Sequence, residues 1–253
     1  MSVESAIKER PILFSGPMVR AILEGRKTVT RRIVNPQPVK NGPFWELYGA
    51  GWSDGMTKVL CVYGHSLSTR NPFGQEGDRL WVRETFAPIP EARPAGYWSD
   101  PNWIGRNYWY RADNNKPMWG GNWKPSIFMP REACRIVLEI VDISVERLQD
   151  MTEEEAVKEG FESLKEFRIL WDSLNTERDI CKTCKGHGVV PAWAGSVEGG
   201  SLMQDSKDCP ECHGKETGFG WDANPWVWRI EFVIAHRGCG AVEVAENRRN
   251  RRG

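Results

Sequence analysis

No stretch of this chain stays apolar over the roughly 20 residues that a membrane-spanning helix needs, and residues 1–10 are polar and charged. Neither a helical membrane protein nor a secretory leader is expected, and a cytoplasmic location is. A net charge of either sign is also missing, because 34 Lys and Arg balance 34 Asp and Glu. No global basic field draws in nucleic acid, so any such contact must come from a local patch. The cysteines do not form an even set. There are 7, and four of them make two Cys-x-x-Cys pairs. That pattern argues against a disulfide scaffold and for a metal site in a reducing compartment.

Aromatic residues are abundant, with 13 tryptophans in 253 residues. Packing in a core and anchoring of loops is the plain reading of most of them. The functional reading is that one or two line a pocket and stack on a base. The length suits one domain with large insertions, or two small ones.

The densest polar run is Gly25-Arg26-Lys27-Thr28-Val29-Thr30-Arg31-Arg32. Ahead of it, Pro11 to Phe14 reads as a buried strand. Pro17 to Glu24 has apolar residues at helical spacing, with Met18 and Val19 above Ile22 and Leu23. Pro17 suits a first helical turn and Gly25 the left-handed residue past a helix end. The cationic run therefore leaves a short helix in a fixed direction. A loop so rich in donors is either a well-solvated turn or a site for anions and polar ligands.

Further along, Lys58 to Tyr63 is a candidate strand. Gly77-Asp78 is a turn signal, and Arg79 to Phe86 alternates, with Leu80, Val82 and Glu84 on one face and Trp81, Arg83 and Thr85 on the other. Glu84 on an apolar face is either a partner for a buried cation such as Lys27 or Arg32, or merely the strand end. Residues 87–130 form an insertion rich in tryptophan, too aromatic for a disordered linker. Ala133 to Leu148 reads as a long strand with Arg135, Glu139 and Asp142 on its wet side. Thr152 with Glu155 three residues later makes a capping box opening a helix to about Gly160. Glu153, Glu154 and Glu155 suit its positive end. A second helix, about Ser163 to Leu174, presents Phe167, Leu170, Trp171 and Leu174 on one face. Trp226 to Ile234 reads as a closing strand. Residues 237–253 form a basic tail, read as mobile.

Cys181-Lys182-Thr183-Cys184 and Cys209-Pro210-Glu211-Cys212 are each followed closely by glycine, with 24 residues between Cys184 and Cys209. Two thiolates at i and i+3, twice over, suit a tetrahedral structural Zn2+ ion. A redox dithiol pair, or His187 or His213 in place of a thiolate, are the alternatives. The first pair resembles the Cys-x-x-Cys-x-Gly-x-Gly repeat of DnaJ-type zinc modules. Four thiolates leave no open position, so no catalytic role for the metal is expected. The zinc-ribbon-like insertion spans 178–222 and is also a candidate surface for a protein partner. Cys61 and Cys134 are expected to be small buried hydrophobes.

Strand, short helix and Gly-x-Lys-x-x-Thr-x-Arg, filled here by Gly25, Lys27, Thr30 and Arg32, resemble the signature of the ASCH superfamily, small β-barrels related to PUA domains. The run FSGPMVRAILEGRKTVTRR is similar to a branch found in phages and prophages. The resemblance covers 11–34, 77–86, 133–175 and 225–235, and it implies an α+β fold. The expected fold is a PUA-like small β-barrel over 10–235 with flanking short helices, interrupted by the two insertions. Some small members resemble N4-acetylcytidine amidohydrolases, whose working residues are a Lys, a Thr and a downstream Glu. The resemblance places these at Lys27, Thr30 and Glu159, the last through Met151-Thr152-Glu153-Glu154-Glu155-Ala156-Val157-Lys158-Glu159. A threonine hydroxyl needs an adjacent base. Lysine serves where burial or neighbouring cations bring an amine from ~10.4 toward 7–8. The alternative for Lys27 and Glu159 is an ion pair tying loop to helix. Two departures stand out. Thr30 and Glu159 have 128 residues between them, and Arg31 occupies a position where an apolar residue is expected.

Three functions stay open. One is an amidohydrolase acting on an acylated nucleoside. Another is a PUA-like module holding a modified base in RNA or DNA, with Arg26, Arg31 and Arg32 on phosphate and Trp81, Arg83 and Glu84 beside the ligand. The last is a phage accessory or assembly protein.

Overall fold

The computed structural model describes residues 7–89, 107–113, 121–175, 189–192, 205–208 and 218–237, with 189–192, 205–208 and 237 described as backbone only. In chain order the elements are β1 (Glu9–Leu13), α1 (Gly16–Leu23), β2 (Val29–Ile33), β3 (Val39–Asn41), β4 (Phe44–Leu47), β5 (Ala50–Ser53), β6 (Lys58–Leu60) and α2 (Ser66–Arg70). Then follow β7 (Arg79–Arg83), β8 (Phe86–Pro88), β9 (Tyr108–Tyr110), β10 (Ile136–Arg147), α3 (Glu153–Lys158), α4 (Leu164–Asn175), β11 (Val189–Ala192), β12 (Asp205–Asp208) and β13 (Trp226–Arg237). The fold is α+β, mostly strands with few helices.

The chain divides into two compact units. The first holds Met1–Thr28, Pro72–Val141 and Phe232–Gly253, and the second holds Val29–Asn71 and Asp142–Glu231. The long strands β10 and β13 each give one half to each unit.

In the first unit β1 lies parallel to β7, pairing Ile12 with Val82, and β7 lies antiparallel to β10, pairing Leu80 with Leu138. All four of these residues are buried. The period-two pattern read from Arg79 onward thus places Leu80 and Val82 on the inner face. The strand stops at Arg83, two residues before β8, which turns aside to pair with β9. From the tryptophan-rich stretch, Trp109 is buried with Ala87 and Ile89, and Trp123 packs against them. Trp98, Trp103 and Trp119 lie outside the described residues.

A corner at Asp78 joins β1 to β7. Its buried carboxylate accepts from Lys8 N (3.0 Å), Gln75 N (3.2 Å) and Arg10 Nη1 (3.1 Å). Gly74, at φ +112°, leaves that space free, since a Cβ there meets Arg10 Nη1 at 2.5 Å and Asp78 Oδ2 at 2.7 Å. Gly74→Ala is expected to lower the unfolding free energy by about 2–3 kcal/mol, from a disfavoured backbone and a displaced ion pair together. Urea denaturation checks this, and Gly55→Ala, a glycine without positive φ and with open space around it, is the control expected to change little.

In the second unit β2 pairs antiparallel with β13 and β6 pairs antiparallel with β10. The strands β3, β4 and β5 form a separate meander, and β11 pairs with β12. Leu148, Met151, Ala156, Phe167, Trp171, Trp221 and Val227 make an apolar core under α3 and α4. Phe167 and Trp171 are on the inner face of α4 as their spacing predicts. Leu174 is not, and stands 69% exposed in the last turn.

The expected closed barrel is not what the described strands form. The strands within 39–53, and Phe86–Pro88 with Tyr108–Tyr110, pair into small ladders of their own rather than extending the main sheet. The main strand path is open, without the closure of end strands that a barrel requires.

Candidate functional site

Two helices end in the same way. At α1, Gly25 N bonds Ile22 O (3.0 Å) and Arg26 N bonds Ala21 O (2.9 Å), with Gly25 at φ +77°. At α3, Gly160 N bonds Val157 O (2.9 Å) and Phe161 N bonds Ala156 O (3.1 Å), with Gly160 at φ +91°. Both are Schellman ends, in which a left-handed residue lets two amides turn back onto the last carbonyls. Each fixes a candidate residue. Lys27 follows Gly25 and its N–H also bonds Ala21 O (3.0 Å), while Glu159 is itself the cap before Gly160. The start of α3 is as the capping box predicts, with Thr152 Oγ1 accepting from Glu155 N.

Lys27 belongs to the first unit, 1% exposed, with its amine 5.7 Å from the centre of the Phe14 ring. Arg26 beside it is exposed and turned onto Glu24, donating from Nε at 2.8 Å. Thr30, Arg31, Arg32 and Glu159 belong to the second unit. Thr30 and Glu159 are each 2% exposed.

Arg31 organises the second unit's polar interior. Its Nε donates to Glu146 Oε1 (2.8 Å), its Nη2 to Glu155 Oε2 (2.8 Å) and its Nη1 to Glu159 Oε1 (3.5 Å). Directly across the β2–β13 ladder stands Arg229. Like charges in register repel, and Glu155 resolves this by accepting from both. Arg229 grips it with a fork, Nε to Oε2 at 3.0 Å and Nη2 to Oε1 at 3.1 Å. Arg229 Nη1 adds Glu231 (3.0 Å) and Asp142 (3.5 Å). Arg31, expected on an external phosphate, faces three carboxylates of its own unit instead.

The electrostatics follow from burial and these pairs. Burial pushes Glu155 up, but hydrogen bonds from Arg229 and Arg31 outweigh it and bring its pKa down to about 2. Glu146 goes the other way, raised by burial that Arg31 only partly offsets. Arg32, half-buried, is lowered by desolvation against the opposing charge of Glu159. Glu159 is therefore set against β2, in contact with Arg31 and within the field of Arg32, the two residues following Thr30.

In the first unit Glu84 is 1% exposed, and the cation facing it is Arg135, which donates Nε to Oε1 (2.8 Å) and Nη2 to Oε2 (3.0 Å). The same guanidinium forks onto Asp113 (2.7 and 2.9 Å) and lies 4.0 Å over the Tyr110 ring. Arg135, read as a wet position, is thus half-buried. Trp81 is half-buried on the opposite face of β7 from Leu80 and Val82, packed against the cluster of Phe86, Tyr110, Met129 and Val137, with Arg83 5.4 Å and Arg131 6.0 Å from its ring. Arg131 is also paired to Glu9 (3.0 Å), and Arg83 donates to Ile127 O.

Glu146, Glu155, Arg229 and Arg135 were not singled out by sequence reasoning as site residues. For Glu146 and Arg229 the one signal was a charge inside a strand otherwise apolar, as in Trp228-Arg229-Ile230-Glu231, whereas Glu155 reads only as part of the capping box. Among the described residues no cluster of His, Cys, Asp or Glu is placed to hold a metal. Cys181, Cys184, Cys209 and Cys212 lie outside the described residues, as does the basic tail. No helix among the described residues is long and apolar enough to cross a membrane. Compared with protein-family models, curated proteins and solved structures, the chain matches none.

Proposed function

We propose that this chain is an ASCH-type amidohydrolase that removes an acyl group from the exocyclic nitrogen of a modified cytidine. The observation that carries the reading is the exclusion of water from all three groups the chemistry needs: the Lys27 amine, the Thr30 hydroxyl and the Glu159 carboxylate, each 2% exposed or less.

In the roles that the ASCH resemblance implies, Thr30 Oγ1 attacks the acyl carbonyl and Lys27 is the base that takes the hydroxyl proton. The carbon–nitrogen bond breaks, the leaving amine receives a proton relayed through Glu159, and water then hydrolyses the threonyl ester, releasing the acid. Arg31 holds Glu159 in place by their 3.5 Å contact. Incubation with N4-acetylcytidine, followed by chromatography for cytidine and acetate, is the test. Steady release supports the reading, and intact substrate after long incubation with active-fold protein refutes it.

Trp81 favours a second reading, a binding module without chemistry. A half-buried indole flanked by two guanidinium groups is a platform on which a base of single-stranded nucleic acid stacks. Trp81→Ala is then expected to weaken oligonucleotide binding by about 1–3 kcal/mol. Fluorescence anisotropy at two salt concentrations measures it. Unchanged affinity removes this reading.

A further inference from the structure

We propose that β6 is a docking edge, at which a second copy of this chain adds its own β6 antiparallel to make a weak two-fold dimer. The contact lies in the second unit and involves none of Lys27, Thr30 or Glu159.

The backbone of β6 is half used. It pairs with β10 on one side, and among the described residues no strand pairs with its other side. Cys61 N donates to Ile143 O (3.1 Å), and the same antiparallel register sets Leu60 opposite Ser144 and Lys58 opposite Glu146. Peptide groups alternate along such a ladder. Those of Val59 and Cys61 turn toward β10, and those of Lys58 and Leu60 turn away from it. An edge of this kind is a template for another strand.

The side chains agree with the backbone. Met56, Leu60, Val62 and Tyr63 are 46%, 55%, 63% and 70% exposed, four large apolar groups within residues 56–63. Lys58, Leu60 and Val62 are exposed on one face of the strand, while Val59 and Cys61 are half-buried on the other. Proline, which commonly blunts an open edge, does not occur in 56–63. The one charge there, Lys58, is already bound to Asp142 at 2.8 Å.

An edge with an uncompensated charge calls for a partner of opposite sign. Here the charge is answered within the unit, so the edge fits an apolar strand, and β6 itself is one. A two-fold axis at Leu60 sets Leu60 opposite Leu60 of the second copy, and Val62 opposite Lys58 of the second copy. Outward peptide groups then meet outward peptide groups, apolar side chains cover one another, and no two cations stand opposite. Four side chains so exposed present on the order of 400 Å2 of apolar surface, a size at which a patch on a monomer is often functional. Two copies together bury on the order of 800 Å2 of it, short of the roughly 1,200 Å2 at which stable complexes begin. The dimer therefore forms at high concentration and comes apart on dilution.

Sedimentation velocity of the full chain under reducing conditions, from low to high micromolar concentration, tests this, with amide exchange followed at Leu60. A dimer that grows with concentration, and slower exchange at Leu60 as it grows, are expected. Leu60→Lys sets two ammonium groups opposite each other on the axis, and Val62→Lys sets one opposite Lys58. Each is expected to weaken dimerisation about tenfold or more. Val39→Lys, at an exposed position of the separate β3–β5 meander, is expected to leave it unchanged. Circular dichroism checks that each variant is folded. A single monomeric species at every concentration overturns the proposal and leaves the edge to a strand of another protein. A dimer that persists unweakened in both Leu60→Lys and Val62→Lys also overturns it, because that dimer uses another surface.

Discussion

Replacing Arg31 by methionine is expected to lower the unfolding free energy by about 3–5 kcal/mol, the cost of leaving buried carboxylates without their cation. Arg31 is the donor shared by Glu146, Glu155 and Glu159. Removing it leaves Glu155 with its fork from Arg229, Glu146 with only the more distant charge of Arg229, and Glu159 in the field of Arg32. Methionine keeps much of the volume, so the loss reads the charge rather than a cavity. Urea denaturation at neutral pH measures it. A change under 1 kcal/mol would mean that the carboxylates are compensated by other groups.

The same cluster fixes the sign of the acid response. Glu155 has its folded pKa lowered to about 2, so its contribution is complete above the ordinary carboxylate range and is lost as pH falls from about 4.5 toward 2. Glu146 is raised, so its ionised form costs stability at neutral pH and that cost is relieved on protonation. Acidification is therefore expected to change stability little at first and then to lower it steeply below about pH 4. Glu155→Gln removes the steep part.

The second large effect concerns chemistry. Lys27→Ala, Thr30→Ala and Glu159→Gln are each expected to reduce hydrolysis of N4-acetylcytidine by about 100- to 10,000-fold, the usual worth of a positioned acid, base or nucleophile. Circular dichroism separates this from unfolding, since Thr30→Ala removes one hydroxyl and leaves β2 paired to β13 at Ile230. Lys165→Ala provides the control, because Lys165 is exposed on α4 and has no part in the site. If Thr30→Ala retains full turnover, threonine is not the nucleophile.

Local signals carried much of the fold. Pro17 and Gly25 bound α1, Thr152 and Gly160 bound α3, and alternation located the buried face of β7, because each depends on residues within a few positions. The ends of pairings did not show. Glu84 reads either as a partner for a buried cation such as Lys27 or Arg32 or as a mere strand end; the cation facing it is Arg135, 51 positions away, itself read as a wet position. Arg31 stood out as a charged residue where an apolar one is expected. That departure is explained by Glu146 and Glu159, 115 and 128 positions on, which no local pattern brings together. The barrel expectation failed for a similar reason. Strand existence is local, but whether β3 to β5, or β8 and β9, join a main sheet or pair with one another is decided by tertiary packing.

A single-turnover experiment with protein in excess over N4-acetylcytidine tests the central claim most directly, because it detects even slow chemistry and does not depend on product release. Cytidine and acetate appearing in equal amounts, with the rate collapsing in Thr30→Ala, is the result expected. Substrate recovered intact in the presence of folded wild-type protein contradicts it, and leaves Lys27, Thr30 and Glu159 as buried structural groups.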